Sequence, residues 1–429
     1  MNALKRLPYE VEDFVKHVKD SELDVYIFGA DIAGKIVSRM LKSFGVNVSG
    51  FVDNNKNKTL VPIDSSPVVH APTFLESAPK SAVVLIASTY IADIIRQIED
   101  RGFYNWAPIS NFLSYYPPER YRSILSGELR RNHAGGEFTK DFDIFVLENM
   151  RNSQVKYLDP SRLYIRSVDI IITEKCSLKC KDCSNLMQYY ERPQNIDTSI
   201  VLSEIDSVTE IADEINELRI IGGDAFVNKD FPTIVNYAAE KPNVNKVVIY
   251  TNGTIAPDES KIKLISKSPK IFVFVTTYGP LSRNAERLAI SLAEHGIQFN
   301  QQPAYGWTDC GTIEKFSRSA EQQEEIFKNC CAKHFTTLTD GKLFRCPFAA
   351  NLHRLEATPD YKGDYVDLAI TDKTKLKQTM WSHLRDISYI RYCDHCKGRT
   401  YGDPEIEPGV QTRQPLFYAK VARVEKAVI

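Results

Sequence analysis

The stretch "TEKCSLKCKDCSNLM", Thr173 to Met187, carries Cys176, Cys180 and Cys183, separated by three residues and then by two. It follows "SVDIIIT", an apolar run of the length of a buried strand. Further apolar runs come after it: "LRIIGG", "KVVIYTNG", "IFVFVTTYG" and "GIQFNQQ". Helical periodicity fills most of the gaps between them, as in "SIVLSEIDSVTEIADEI" and "NAERLAISLAEHG". Alternation of this kind predicts a parallel sheet, open or closed into a barrel, whose loops after the strands carry the chemistry. The cysteine triplet occupies the first of those loops.

Three thiolates this close together ask for a metal centre, but not for a closed one. A structural zinc ion takes four protein ligands in a tetrahedron. An iron–sulfur cube also has four corners, and each iron wants an outside ligand. Three cysteines hold three corners and leave one iron open to an amine and a carboxylate, the groups on the methionine part of S-adenosylmethionine. An electron from the cluster then breaks a carbon–sulfur bond and yields a radical, which is cofactor chemistry that the protein positions. On this reading the missing fourth cysteine is the functional feature.

Two later motifs stand in the same place on later strands. "GGDAF", Gly222 to Phe226, ends the second run, and "TNG", Thr251 to Gly253, ends the third. Each alone reads as an ordinary turn. In this order behind the triplet, they make the segment resemble the radical SAM superfamily. The resemblance implies that Gly222, Gly223 and Asp224 receive S-adenosylmethionine, with Asn252 on the same rim. Asp224 stands where the family usually has Glu, and Ala225 where it has Pro, which frees φ after the turn. Asp182 precedes the last cysteine, where an aromatic residue near the adenine is usual.

The remaining cysteines are Cys310, Cys330, Cys331, Cys346, Cys393 and Cys396. Cys331-x9-Gly341-x4-Cys346 followed by Cys393-x2-Cys396 supplies four thiolates, and spacing alone allows zinc or a second cube, with a slight preference for zinc. A hairpin signal surrounds Asp340-Gly341. The pattern is similar to the auxiliary-cluster region of SPASM and twitch enzymes, and the lack of cysteines beyond Cys396 matches the shortened twitch type. The resemblance implies a second [4Fe–4S] cluster ligated by Cys331, Cys346, Cys393 and Cys396, acting as an electron relay. Cys330, adjacent to Cys331, is the alternative ligand. Cys310 reads as a small core residue or as a thiol that donates hydrogen to a substrate radical.

Upstream, "DVYIFGADIAGKIVSRMLKSFGVNVSGFVDNN" is a βαβ pattern and "AVVLIAS" adds a strand. "GADIAG" resembles a dinucleotide turn, but Asp31 replaces the middle glycine and repels a pyrophosphate. The region resembles Rossmann-like domains attached to sugar-modifying enzymes, which implies a sugar, nucleotide-sugar or docking role rather than an NAD site.

The expected architecture is α/β throughout. A doubly wound Rossmann-like domain occupies 1–115, a linker with some helix 116–160, and a partial (β/α)6 radical SAM barrel 161–329. A twitch-like cluster appendage at 330–400 and a tail at 401–429 follow. With 429 residues and a formal net charge of -1, the chain shows no general electrostatic pull toward nucleic acid or membrane. No run is long enough to span a bilayer and no secretory signal is visible, so a cytoplasmic protein with reduced thiols is expected.

The expected activity is reductive cleavage of S-adenosylmethionine and hydrogen abstraction from a sugar-like or other small metabolite. Oxidation and epimerisation both remain open. A flavodoxin- or ferredoxin-type donor is the implied electron source. Tyr278, Ser282, Arg283, Trp307 and Asp309, in the loops after the late strands, are the expected substrate contacts. Maturation of a ribosomal peptide and a non-enzymatic metal module are the competing readings; the N-terminal βαβ pattern argues against the first, and the strand-ordered motifs against the second.

Overall fold

A computed structural model describes residues 10–115, 120, 132–133, 136–137, 140–400 and 403–421. The chain divides into two compact units, with the main boundary between Ser161 and Arg162.

The first unit is built on five parallel strands: β1 (Val25–Phe28), β2 (Gly50–Asp53), β3 (Val68–His70), β4 (Val83–Ile86) and β5 (Trp106–Pro108). Their order is β3-β2-β1-β4-β5. Alternation along β1 sends Val25 and Ile27 to a core shared with helices α1 (Val11–Asp20) and α2 (Ile32–Ser43). Phe28 joins the opposite core, with α3 (Ala71–Ser77) and α4 (Ile91–Glu99). Helices therefore cover both faces, as a parallel sheet requires.

The "GADIAG" glycines serve this packing. A Cβ at Gly29 would lie 2.3 Å from the Ala87 carbonyl oxygen, and one at Gly34 would lie 2.3 Å from that of Gly29. Asp53 accepts the Ala30 N–H at 2.9 Å and the Asn55 N–H at 2.8 Å, with Lys58 Nζ at 3.2 Å. Asp31 caps α2 through the Ile32 N–H. Asp53 and Asp31 are thus both engaged by neighbouring backbone N–H groups.

Within 116–160, expected as a linker with some helix, lies α6 (Lys140–Leu158), which follows the short α5 (Ser110–Tyr115) and packs into the first unit. Leu147 and Met150 enter the first core. Gln154 donates to the carbonyls of Ile86 (2.7 Å) and Ser88 (2.9 Å) and accepts from the Ser110 N–H (3.0 Å). Its amphipathic signal is weak because Asp143, Asn149, Ser153 and Gln154 are also buried, which blurs the apolar stripe.

The second unit holds an eight-stranded sheet. Its parallel strands are β6 (Tyr164–Thr173), β7 (Glu214–Gly222), β8 (Val244–Thr251), β9 (Ile271–Thr277) and β10 (Gln298–Pro303). On the other side of β6 lies β11 (Thr336–Thr339), also parallel, followed by antiparallel β12 (Lys342–Phe344) and β13 (Tyr365–Asp367). The order β10-β9-β8-β7-β6-β11-β12-β13 leaves both ends open, so the barrel is partial. The 330–400 segment thus extends the barrel sheet directly. Asp340 (φ 52°) and Gly341 (φ 67°) form the two-residue turn of the β11–β12 hairpin.

Alternation again sorts the side chains. Val168, Ile170 and Ile172 of β6 pack with α7 (Thr198–Ile211) and α8 (Phe231–Glu240). Ile171 and Ile221 face a second core containing Leu186, Tyr189, Phe344, Phe348 and Tyr392. Cys183, Cys346, Cys393 and Cys396 lie against that second core. The loops after β6 to β10 all leave one edge of the sheet because these strands are parallel.

Candidate active site

The triplet loop starts where β6 ends, and each of its sulfurs faces nitrogen donors. The backbone N–H groups of Asn185, Leu186 and Met187 point at the Cys183 sulfur. The Leu178 N–H and Asn252 Nδ2, at 3.5 Å, serve Cys176. Gln411 Nε2 lies 3.2 Å from Cys180 Sγ. Donors aimed at sulfur are what a thiolate ligand needs, so the loop fits a metal-bound state. Burial pushes the Cys180 thiol up to about 11, helped by Cys183, and pushes Cys176 and Cys183 up as well. Burial thus favours the neutral thiols, and binding to a positive centre would offset the cost of the thiolate form.

Gly222 and Gly223 lie against this loop backbone to backbone. The Gly223 N–H bonds the Thr173 carbonyl and the Asp224 N–H bonds that of Lys175, both at 3.0 Å. A Cβ at Gly222 would sit 2.0 Å from Thr173 O, and one at Gly223 would sit 2.2 Å from Lys175 O and 2.8 Å from Cys176 Cβ. The glycine pair therefore sets the approach of two loops.

Asp224 is fully buried, and its carboxylate is engaged on both oxygens. It accepts from the N–H groups of Phe226 (3.0 Å) and Asn252 (2.9 Å) and from Thr251 Oγ1 (3.1 and 3.0 Å). Burial raises its pKa, against those hydrogen bonds. The expected free acceptor for an amino group is a tie between the ends of β7 and β8. The polar groups beside Cys176 are Asn252, Ser177 and Thr254: Asn252 Nδ2 lies 3.2 Å from Ser177 Oγ, and Ser177 also bonds Thr254. Sequence reading passed over Ser177 and Thr254, although both adjoin a named motif.

Of the expected substrate contacts, Tyr278 is at the triplet. Burial pushes its phenol pKa up, and Cys180, Cys183 and Cys176 push it further. Trp307 meets it edge-on at 5.8 Å between ring centroids. Ser282 is buried and accepts the Tyr278 N–H at 2.8 Å, so it shapes the loop from within. Arg283 is exposed. Asp309 is exposed and paired with Lys397 at 2.5 Å. The structure brings Tyr278 and Trp307 to the site and leaves Arg283 and Asp309 at the surface.

The remaining cysteines surround a cavity lined by Cys310, Cys330, Cys346, Cys393 and Cys396, together with Arg399 and Ser184. Three of these sulfurs face backbone donors at 3.4 Å: Cys330 from Ala332, Cys346 from Ala349 and Cys396 from Gly398. Burial pushes Cys346 up to about 12, with Cys330 adding to it. Cys331 does not line the cavity. Its N–H is bonded to the Arg399 carbonyl at 2.9 Å, at the end of α9 (Ala320–Asn329), where Cys330 is the C-cap. Of the two adjacent candidates, Cys330 is the one that faces this cavity. Cys310 is buried in the same cavity, close enough to Cys183 to raise its pKa. Its place is between the two cysteine sets rather than at an open barrel mouth. Among the described residues, no group of three Cys, His, Asp or Glu side chains converges closely enough to hold a single metal ion.

A family described as the Radical SAM superfamily matches residues 170–298. The chain carries a radical SAM domain. The chain is 27% identical over 173 residues to the GTP 3',8-cyclase of Syntrophomonas wolfei subsp. wolfei, covering 35% of this chain and 51% of that protein. It is 30% identical over 169 residues to the GTP 3',8-cyclase of Alkaliphilus metalliredigens, covering 36% and 52%. The chain thus spans about half the length of the curated relatives it matches. Among solved structures, the chain is similar to anSMEcpe with bound AdoMet (14% identity, TM-score 0.36, covering 57% of this chain and 92% of that one). It is also similar to BtrN in complex with AdoMet and 2-DOIA (13%, TM-score 0.34, 59% and 97%).

Proposed function

We propose that this chain is an enzyme that cleaves S-adenosylmethionine reductively and abstracts hydrogen from a small metabolite of the sugar or nucleotide kind. The observation that carries the reading is the triplet itself: three cysteine sulfurs on one loop, each faced by nitrogen donors, with no fourth cysteine on that loop. Cys176, Cys180 and Cys183 would hold a [4Fe–4S] cluster. When bound, such a cluster supplies the electron that cleaves S-adenosylmethionine.

The chain's own residues bind and orient. Gly222 and Gly223 keep the second loop against the first, and Asp224 locks the ends of β7 and β8 together. Asn252, Ser177 and Thr254 present hydroxyl and amide groups beside Cys176, suited to the polar end of S-adenosylmethionine. Tyr278 and Trp307 form an aromatic wall beside the triplet. Cys330, Cys346, Cys393 and Cys396 would hold a second cluster, with Cys310 as a fifth sulfur on the path between the two sets. A ferredoxin- or flavodoxin-type protein is the expected electron source.

The names of the curated relatives favour a second substrate reading, a purine nucleoside triphosphate. Anaerobic reconstitution with iron and sulfide, reduction, and assay for 5′-deoxyadenosine test the core of the proposal. About eight irons per chain and formation of 5′-deoxyadenosine are expected. Zinc in place of iron, with no 5′-deoxyadenosine, would sink it. Adding GTP and a panel of sugar nucleotides in turn then separates the substrate readings by which one accelerates cleavage.

A further inference from the structure

The segment "EIEPGVQT", Glu405 to Thr412, lies far beyond every motif that points to the site, yet it is part of it. Its start bridges the loop after β10: Glu405 pairs with Thr308, and the Ile406 N–H bonds the Trp307 carbonyl at 2.8 Å. Its end pairs antiparallel with the triplet loop. The Lys181 N–H bonds the Val410 carbonyl at 2.7 Å, the Thr412 N–H bonds that of Lys179 at 2.8 Å, and Cys180 stands opposite Gln411. Gly409 (φ 76°) lies against the Tyr278 ring, where a Cβ would approach Cδ1 to 2.6 Å.

Gln411 sits at the centre of this strap, and its amide orientation is fixed by its partners. Oε1 accepts the Lys179 N–H at 2.7 Å, and an amide NH2 cannot take that place. Nε2 therefore points the other way, to Cys180 Sγ at 3.2 Å and the Gly409 carbonyl at 2.7 Å. Both strap and side chain converge on the middle cysteine of the triplet.

We propose that Gln411 is a positioning residue of the first cysteine site, holding the Cys180 sulfur with its amide and raising the reduction potential of the iron–sulfur group bound there. The proposal rests on the triplet holding a cluster, as argued above. A reduced cluster carries one more negative charge than an oxidised one, so a donor to its ligand sulfur stabilises the reduced form more. Hydrogen bonds to cluster sulfurs are among the levers that set such potentials.

The test is a redox titration of the full chain, followed by electron paramagnetic resonance, on the signal that changes when S-adenosylmethionine is added. Gln411→Met removes the amide with little change in volume. Gln411→Glu keeps the acceptor for Lys179 and replaces the donor with a charge. At a fixed poise the reduced-to-oxidised ratio should fall about tenfold in the Glu variant, or 59 mV for one electron, and by less in the Met variant. Equal potentials in all three proteins, with equal iron, would overturn the proposal. If the Glu variant fails to load, the Met variant decides alone. If neither loads the first cluster while the second stays intact, the holding role stands. An unmodified chain without iron would instead count against the proposed function and leave the strap geometry as it is.

Discussion

The two cysteine sets of this chain are put together in opposite ways. The first is local: three sulfurs within eight residues, on one loop at the end of β6. The second is assembled from four separate places, with Cys310, Cys330, Cys346 and the Cys393–Cys396 pair around one cavity. In the first, the cysteines are fixed by one loop, and the fold brings the surroundings: Gly223, Asn252 and Gln411 arrive from three other segments. In the second, the fold must bring the cysteines themselves. A local set survives small shifts of its scaffold, whereas a dispersed one depends on each segment that delivers a sulfur.

The sharpest break of this comparison is to empty one set at a time. Cys180→Ala should lower iron from about eight to about four per chain and abolish 5′-deoxyadenosine formation, leaving the second set loaded. Iron and sulfide analysis beside the product assay reads both. The opposite experiment pits neighbours against each other. Cys330→Ala should lose about four irons, whereas Cys331→Ala should keep them, because only Cys330 lines the cavity and faces the Ala332 N–H. A loss in Cys331→Ala with retention in Cys330→Ala would reverse the ligand assignment.

The same contrast explains what could be read in advance. The triplet and the parallel strands were legible because both are periodic signals in contiguous residues, and parallel strands put their following loops on one edge. That Cys330 and not Cys331 faces the cavity was not legible, because adjacent residues differ only in direction, and that is set where α9 ends and the Arg399 carbonyl captures the Cys331 N–H. Asp224 reads in the sequence as a receiver of S-adenosylmethionine and not as a tie, since the partners that make it one come from the next strand. Gln411 was out of reach altogether: 231 positions separate it from the sulfur it contacts, and no local pattern marks it.

Two glycines sharpen the comparison at smaller scale. Gly223→Ala drives a Cβ into Lys175 O and Cys176 Cβ, so the triplet loop must shift. A cost of about 3 kcal/mol is expected, with weaker retention of the first cluster. Gly341, in the hairpin that leads to Cys346, has open space where a Cβ would stand but a φ of +67°. Gly341→Ala should cost about 1 kcal/mol through backbone strain and leave first-site iron unchanged. Urea titrations of both variants, with iron retention measured on the same samples, check the pair.

The smallest effect concerns how that hairpin is held. Glu204, on α7, accepts the Gly341 N–H at 2.8 Å through Oε1, while its buried Oε2 has no hydrogen-bond partner among the described residues. Burial pushes its carboxyl up to about 7, against the pull of the Gly341 N–H. The folded chain therefore holds this proton more tightly than the unfolded chain, whose carboxyl titrates near the ordinary value of about 4.3. Between those values the folded state binds more protons, so stability is fully present below the unfolded pKa and declines as pH rises through about 7. Glu204→Gln keeps an acceptor for Gly341 and removes the titration. Its stability relative to the parent should thus increase between pH 5 and 8, by about 2–3 kcal/mol. A difference that stays flat over this range in urea titrations would mean that Glu204 is ionised in the folded chain, and that the hairpin carrying Cys346 rests on a charged anchor instead of a neutral one.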